Sequence, residues 1–284
     1  MNIQLVGVVG VGQMGSGIVE ACARAGFDVI AREINEDLLN RGLGAVKASM
    51  ERGVKKGKLS QADLDAALSR IHGTMLLSDF KDCDLVIEAA VENMQLKKTI
   101  FTELDAITRP EAVLASNTSS LSITEIASAT ERPDKVLGLH FFNPVPVMPL
   151  IEVVRGLLTS DETLAVAHLL GERTSKQVIF AKDNPGFIIN LLLVPYLFDA
   201  IRALENGAAT KEDIDAGIRL GLNHPMGPFS LMDFIGLDTC LFIGDAMYNE
   251  FKDARYAAPP LLRRMVTAGL MGRKSGRGFY SYEH

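Results

Sequence analysis

The sequence predicts an α/β fold with a mostly parallel sheet, followed by an all-α domain. Three observations carry this prediction. Short apolar, β-branched runs alternate with helix-period segments as far as residue 181. The alternation stops at Asp183-Asn184-Pro185-Gly186, where proline and glycine mark a boundary. Beyond it every long segment has helical spacing, so the domains are expected at 1–184 and 185–284. A chain of 284 residues agrees with two domains at about 150 residues each. At that size roughly 75% of the unfolded surface can be buried, so neither disulfides nor a metal is needed for folding.

Residues 3–9 form a β-branched run ending in glycines, as expected of a buried parallel strand. Small and apolar residues recur at helical spacing over 13–25, and 27–31 is a second apolar run. Together they make a βαβ unit. Residues 36–70 read as polar helix broken at Lys55-Lys56-Gly57-Lys58, with Ser60 positioned to cap the next helix. Strand 85–90, helix 95–107, strand 113–116, helix 122–130, strand 136–142, strand 150–155, helix 161–174 and strand 177–181 complete the alternation. After the boundary, helices are expected over 187–206, 211–220, 229–251 and 259–269. No internal repeat is visible.

The net charge of −6 speaks against a nucleic-acid binder, which would carry a basic balance. It leaves room for an anionic small ligand, because local patches can still be basic. Cys22, Cys83 and Cys240 have neither metal nor redox spacing and read as small buried hydrophobes in a reducing compartment. No metal site is expected. The opening residues lack a basic n-region, so no signal peptide is visible. The longest apolar run, 187–201, is shorter than the ~18 residues of a membrane span and contains Asn190 and Pro195. A cytoplasmic location is expected.

Gly10-Val11-Gly12-Gln13-Met14-Gly15 matches G-x-G-x-x-G between a strand and a helix. Gly10 permits the tight turn, Gly12 lets the backbone approach a pyrophosphate, and Gly15 lets helix pack on strand. Gln13 and Met14 open the helix, whose free N–H groups and positive dipole end favour phosphate. Glu33 ends the next strand, where a carboxylate bonds the adenosine ribose hydroxyls and repels a 2′-phosphate. A Rossmann-type domain binding NAD is therefore expected. Arg32 beside Glu33 keeps NADP as the second choice.

Two further segments fall at carboxyl ends of strands, where open α/β sheets bind ligands. One is Ser116-Asn117-Thr118-Ser119-Ser120, a polar cluster; the other is His140-Phe141-Phe142-Asn143-Pro144. Glu152 lies inside the apolar run Leu150-Ile151-Glu152-Val153-Val154. A carboxylate there is costly to bury without a partner, and His140 is a candidate. A carboxylate on one ring nitrogen fixes the tautomer and leaves the other nitrogen to take a proton. Taken singly, His140 also fits a core position, Glu152 a sheet edge and Ser119 a helix cap. Spacing alone leaves open whether they meet.

These residues resemble the L-3-hydroxyacyl-CoA dehydrogenase family, particularly its single-function bacterial 3-hydroxybutyryl-CoA members, over essentially the whole chain. The markers are Gly10 to Gly15, Val91-Glu92-Asn93 with Lys97, the Ser119 and His140 segments, and Asp183 to Asn190. His224-Pro225-Met226-Gly227-Pro228 and Gly272-Arg273-Lys274-Ser275-Gly276 are others. The resemblance implies His140 as general base and Glu152 as its orienting partner. It implies Ser119 and Asn190 on the substrate's 3-oxygen, with Ser119, Glu92, Lys97, Asn143 and Lys274 along the cofactor. Ser49 and Lys56 match positions that contact coenzyme A, and Lys56 belongs to a basic cluster with Arg52, Lys55 and Lys58. Glu33 stands where Asp is commoner, and Leu191 where many members carry Arg.

The partners expected are an acyl-CoA substrate and a second copy of the chain, since the helical part carries more apolar surface than a small domain needs and the family is dimeric. Nucleic acid and membrane are not expected. Two other readings share parts of the pattern: a two-domain dehydrogenase acting on a free hydroxyacid, and a non-catalytic crystallin-like or NAD-sensing protein. The first tends to use a catalytic lysine and lacks the His140 segment; the second has no need of the His140, Glu152, Ser119 and Asn190 set.

Overall fold

The structure, a computed structural model, describes residues 3–282. The chain divides into two compact units between Asn184 and Pro185. The first unit contains, in order, β1 (Leu5–Val9), α1 (Gln13–Arg24), β2 (Asp28–Arg32), α2 (Glu36–Lys55), α3 (Gln61–Ser69), β3 (Ile71–Thr74), β4 (Leu85–Glu88), α4 (Met94–Ile107), β5 (Val113–Ser116), α5 (Ile123–Ala127), β6 (Val136–Phe141), β7 (Leu150–Arg155), α6 (Asp161–Arg173) and β8 (Gln177–Lys182).

The strands form one sheet in the order β3-β2-β1-β4-β5-β6-β7-β8. Strands β1 to β6 are parallel, β7 pairs antiparallel with β6, and β8 runs parallel to β7. The chain order reverses between β1 and β4, which is the switch point where such sheets open a ligand crevice. Strands β4, β5 and β6 are buried along their whole length, which explains their near-continuous apolar runs. Ile18, Val19 and Cys22 on α1 join Val6, Val8, Leu85 and Phe141 in the core.

The second unit is helical: α7 (Ile189–Glu205), α8 (Lys211–Gly221), α9 (Pro228–Ile235), α10 (Leu237–Phe251) and α11 (Pro260–Thr267). Its own core holds Phe198, Ile201, Phe229, Met232, Leu237 and Met247. Two buried carboxylates organise it. Asp215 of α8 accepts the Phe229 and Ser230 amides at 2.8 and 3.0 Å, capping α9 from outside because Gly227 offers no side chain. Asp233 accepts the Phe279 and Tyr280 amides at 2.9 Å, pinning the C-terminal segment.

The structure departs from the sequence expectations in three places. The edge strand β3 was not expected, because Ile71-His72-Gly73-Thr74 is short and has a single large apolar residue. The expected helix 229–251 is two helices, turned at Gly236 with φ +104. Helix 122–130 shortens to five residues. Ser60 does cap α3, accepting the Asp63 amide at 3.1 Å. All three cysteines are buried, and burial pushes each thiol up to about 12. No helix among the described residues is long and apolar enough to cross a membrane.

Candidate active site

The turn from β1 to α1 is built around close backbone approaches. Gly10 has φ +89, and a side chain there would sit 2.8 Å from the Ala89 carbonyl oxygen. A side chain at Gly15 would overlap the Gly10 carbonyl oxygen. Gly12, by contrast, faces open space, and no side chain caps α1. The first turn of α1 holds no acidic residue, so the exposed Gly12 and Gln13 leave a helix N-terminus open to an anion. Met14 is half-buried behind them. Glu33 follows β2, and its carboxylate accepts the Val11 amide at 2.7 Å and the Ile34 amide at 3.1 Å. Those two bonds hold it against the glycine turn. Arg32 points elsewhere, its Nε donating to the Met75 carbonyl at 3.3 Å. These residues fit a dinucleotide.

The antiparallel register of β6 and β7 sets His140 opposite Glu152. His140 Nδ1 lies 2.8 Å from Glu152 Oε2, with the histidine 7% exposed and the glutamate fully buried. The Phe142 ring lies 4.6 Å from the imidazole. Asn117, just past β5, accepts the Phe141 amide at 2.9 Å and ties the two loop clusters together.

Ser119 sits half-buried in the turn after β5. Glu92 Oε1 accepts the Thr118 hydroxyl at 2.5 Å and the Ser119 amide at 3.0 Å, with the Ser119 hydroxyl at 3.4 Å. Lys97 is 1% exposed; its Nζ donates to Glu88 at 2.7 Å and lies 3.3 Å from Glu92. The resemblance would set Lys97 along the cofactor, yet its ammonium is enclosed by carboxylates, so its reach toward a ligand runs through Glu92. Ser116 donates to the other Glu88 oxygen at 2.7 Å.

Sequence reasoning missed Glu88. The signal was present: a carboxylate inside the apolar run Leu85-Val86-Ile87-Glu88-Ala89-Ala90, as with Glu152. It also missed what Asp183 does, reading it as part of a boundary and of the Asp183 to Asn190 marker. Asp183 accepts the Ser122 hydroxyl and the Ile123 and Thr124 amides at 2.9, 2.8 and 2.6 Å, capping α5 three residues after Ser119.

The remaining expected residues lie on other elements. Asn143 is exposed in the β6–β7 connection. Ser49 lies in α2 and Lys56 is the C-cap residue that ends it, with exposed Arg52 between them. In the helical unit, Asn190 lies in the first turn of α7 and is 9% exposed, and Lys274 is ion-paired with Asp238 at 2.5 Å. Among the described residues no cluster of His, Cys, Asp or Glu could hold a metal ion.

The sheet with its switch point, the open glycine turn and the Glu33 carboxylate held beside it define a Rossmann-type NAD-dependent oxidoreductase. Residues 5–184 match the 3-hydroxyacyl-CoA dehydrogenase NAD binding domain and residues 186–282 the C-terminal domain of the same family, so the chain belongs to the 3-hydroxyacyl-CoA dehydrogenases. A 3-hydroxybutyryl-CoA dehydrogenase of Mycobacterium tuberculosis is 52% identical over 282 residues, 99% of both chains. The crystal structure of M. tuberculosis FadB2 superposes with a TM-score of 0.98 at 51% identity, covering 100% of both chains. That of the (S)-3-hydroxybutyryl-CoA dehydrogenase PaaH1 from Ralstonia eutropha gives 0.96 at 46% identity, also over 100% of both chains.

Lys97→Met strands Glu88 in the core without its cation. Breaking such a buried pair costs about 3–5 kcal/mol. Denaturant unfolding should show that loss, and Glu88→Leu added to Lys97→Met should restore much of it. A near-zero loss for the single variant would mean that the pair does not stabilise the fold.

Proposed function

We propose that the protein interconverts (3S)-3-hydroxyacyl-CoA, with 3-hydroxybutyryl-CoA as the short-chain substrate, and 3-ketoacyl-CoA. The substrate class is supported by the names of its close relatives and the mechanism by the 2.8 Å contact of His140 Nδ1 with Glu152. NAD, when bound, supplies the hydride acceptor for C3. His140 takes the 3-hydroxyl proton on Nε2, since Nδ1 is committed to Glu152. Glu152 stabilises the imidazolium so formed and holds the ring in one orientation. Ser119 and Asn190 hydrogen-bond the oxygen as it becomes a carbonyl. In the reverse direction His140 returns the proton.

Glu33 reads the adenosine ribose, with Glu92, Lys97, Asn143 and Lys274 along the rest of the cofactor. Ser49 and Lys56 bind the coenzyme A moiety, and the exposed cations around Lys56 suit its phosphates. The sheet unit, 1–184, carries NAD. The helical unit, 185–284, serves substrate binding and pairs with a second copy, its exposed Leu192, Leu220, Leu222 and Phe242 supplying apolar surface. The enzyme works in the cytoplasm.

General acid–base help is typically worth 10²–10⁴-fold, so His140→Ala should cut turnover by about that factor while NADH still binds. Full turnover by folded His140→Ala refutes the role. Glu152→Gln should lower kcat too and change the pH–rate profile. The readout is NADH absorbance with acetoacetyl-CoA.

Glu33→Ala should raise the Kd of NAD by about tenfold or more, the order expected for lost hydrogen bonds to a charged group, and that of NADP far less. Equal weakening of both would show that Glu33 does not read the ribose. Light scattering should return twice the 30.8 kDa chain mass, and a monomer at working concentration would rule out the pairing.

A further inference from the structure

Eight residues, 142–149, connect the strand bearing His140 to the strand bearing Glu152. One side of this connection rests on α1, where Val145 lies against Gly17 so closely that a side chain on the glycine would come within 2.8 Å. Beyond Pro146, whose ring also meets the Gly17 position at 3.4 Å, the connection leaves this bed. Pro146, Val147, Met148 and Pro149 form one wall of a cavity of about 640 Å³, whose other walls are the end of α1, α3 and the α6–β8 turn. Packing therefore does little to fix this stretch, and the hydrogen bonds across the gap decide where it lies.

The side-chain bonds among them come from one residue. Lys176, in the α6–β8 turn, is 9% exposed, and its Nζ donates to the Val145 and Met148 carbonyls, each at 2.6 Å. Three main-chain bonds help: Val147 N and Met148 N to Pro144 O, each at 3.0 Å, and Gln177 N to Pro149 O at 2.7 Å. The ammonium has no carboxylate within ion-pair distance among the described residues. Burial, and then Arg24 nearby, pull it below the ordinary lysine range. A lysine held in this way is costly, and an anchor is what it provides in return.

We infer that Lys176 is a positioning residue for the reaction: by clamping two carbonyls of the 142–149 connection it sets Asn143, two residues before Val145, and the hairpin that pairs His140 with Glu152. The inference rests on the roles proposed for those three residues. Displacement of reacting groups by about 1 Å can cost about 10²-fold in rate, so loosening this connection should be visible in turnover.

The test uses the full-length protein with Lys176→Met, which keeps length and removes the donors, and Lys176→Arg, which keeps charge and donors. Hydrogen exchange over 142–149 should quicken in Lys176→Met and stay near the parent in Lys176→Arg. With acetoacetyl-CoA, Lys176→Met should lose about tenfold in kcat and raise KM for NADH, while KM for the acyl-CoA stays within about twofold. Lys176→Arg should recover most of the kcat. Unchanged exchange overturns the clamp, and faster exchange with unchanged kcat overturns the positioning role. If Lys176→Met does not fold, Lys176→Gln decides, since its shorter, uncharged side chain cannot hold both carbonyls: quickened exchange with lost kcat upholds the inference, and unchanged exchange or full kcat overturns it. Failure of the proposed mechanism would show separately, as full activity in His140→Ala.

Discussion

The burial of a single carboxylate constrains the rest of this site. Glu152 has no exposed surface, lies in the middle of a strand and is flanked by Ile151 and Val153 in the core. Left alone, an ionised carboxylate in that position would cost several kcal/mol. The antiparallel β6–β7 ladder supplies its partner by placing His140 directly opposite. Slipping the register by one residue would move Glu152 to the other face of the sheet, so the imidazole contact and the core packing are satisfied together or not at all.

The same logic recurs on β4, two strands from β6. Glu88 ends β4 inside the core and is satisfied by Lys97, Ser116 and the Ala90 amide at 2.7 Å each. Lys97 in turn faces Glu92, which gathers Thr118 and Ser119. A fully satisfied polar network of this kind rigidifies what it touches, here the turn after β5. Asp183 holds the far end of that turn. The polar residues near Ser119 are therefore framed by buried charge on one side and a helix cap on the other.

Much of this was legible in the residues themselves. The glycine turn and the division near residue 184 follow from local pattern, and so does the need of Glu152 for a partner, while its meeting with His140 comes from the β6–β7 register. The short edge strand β3 and the turn at Gly236 did not, because four half-exposed residues and one glycine in a long apolar stretch carry too weak a period. Glu88 was readable by the argument applied to Glu152, but its cation arrives from the next helix, and nothing in the spacing singles out Lys97. Lys176 was invisible: a lysine beside a strand is ordinarily a solvated residue, and only the folded chain brings two main-chain carbonyls to it.

Asp183 also decides where the protein can be divided. It stands two residues before Pro185, yet all three groups it receives belong to the sheet-bearing unit, sixty or so positions earlier. Cleavage after Lys182 would leave the amides of Ile123 and Thr124 without an acceptor and fray the segment that carries Ser119. Cleavage after Asn184 would keep it. A free-standing cofactor carrier cut from this chain must retain a residue that, by eye, belongs to the joint.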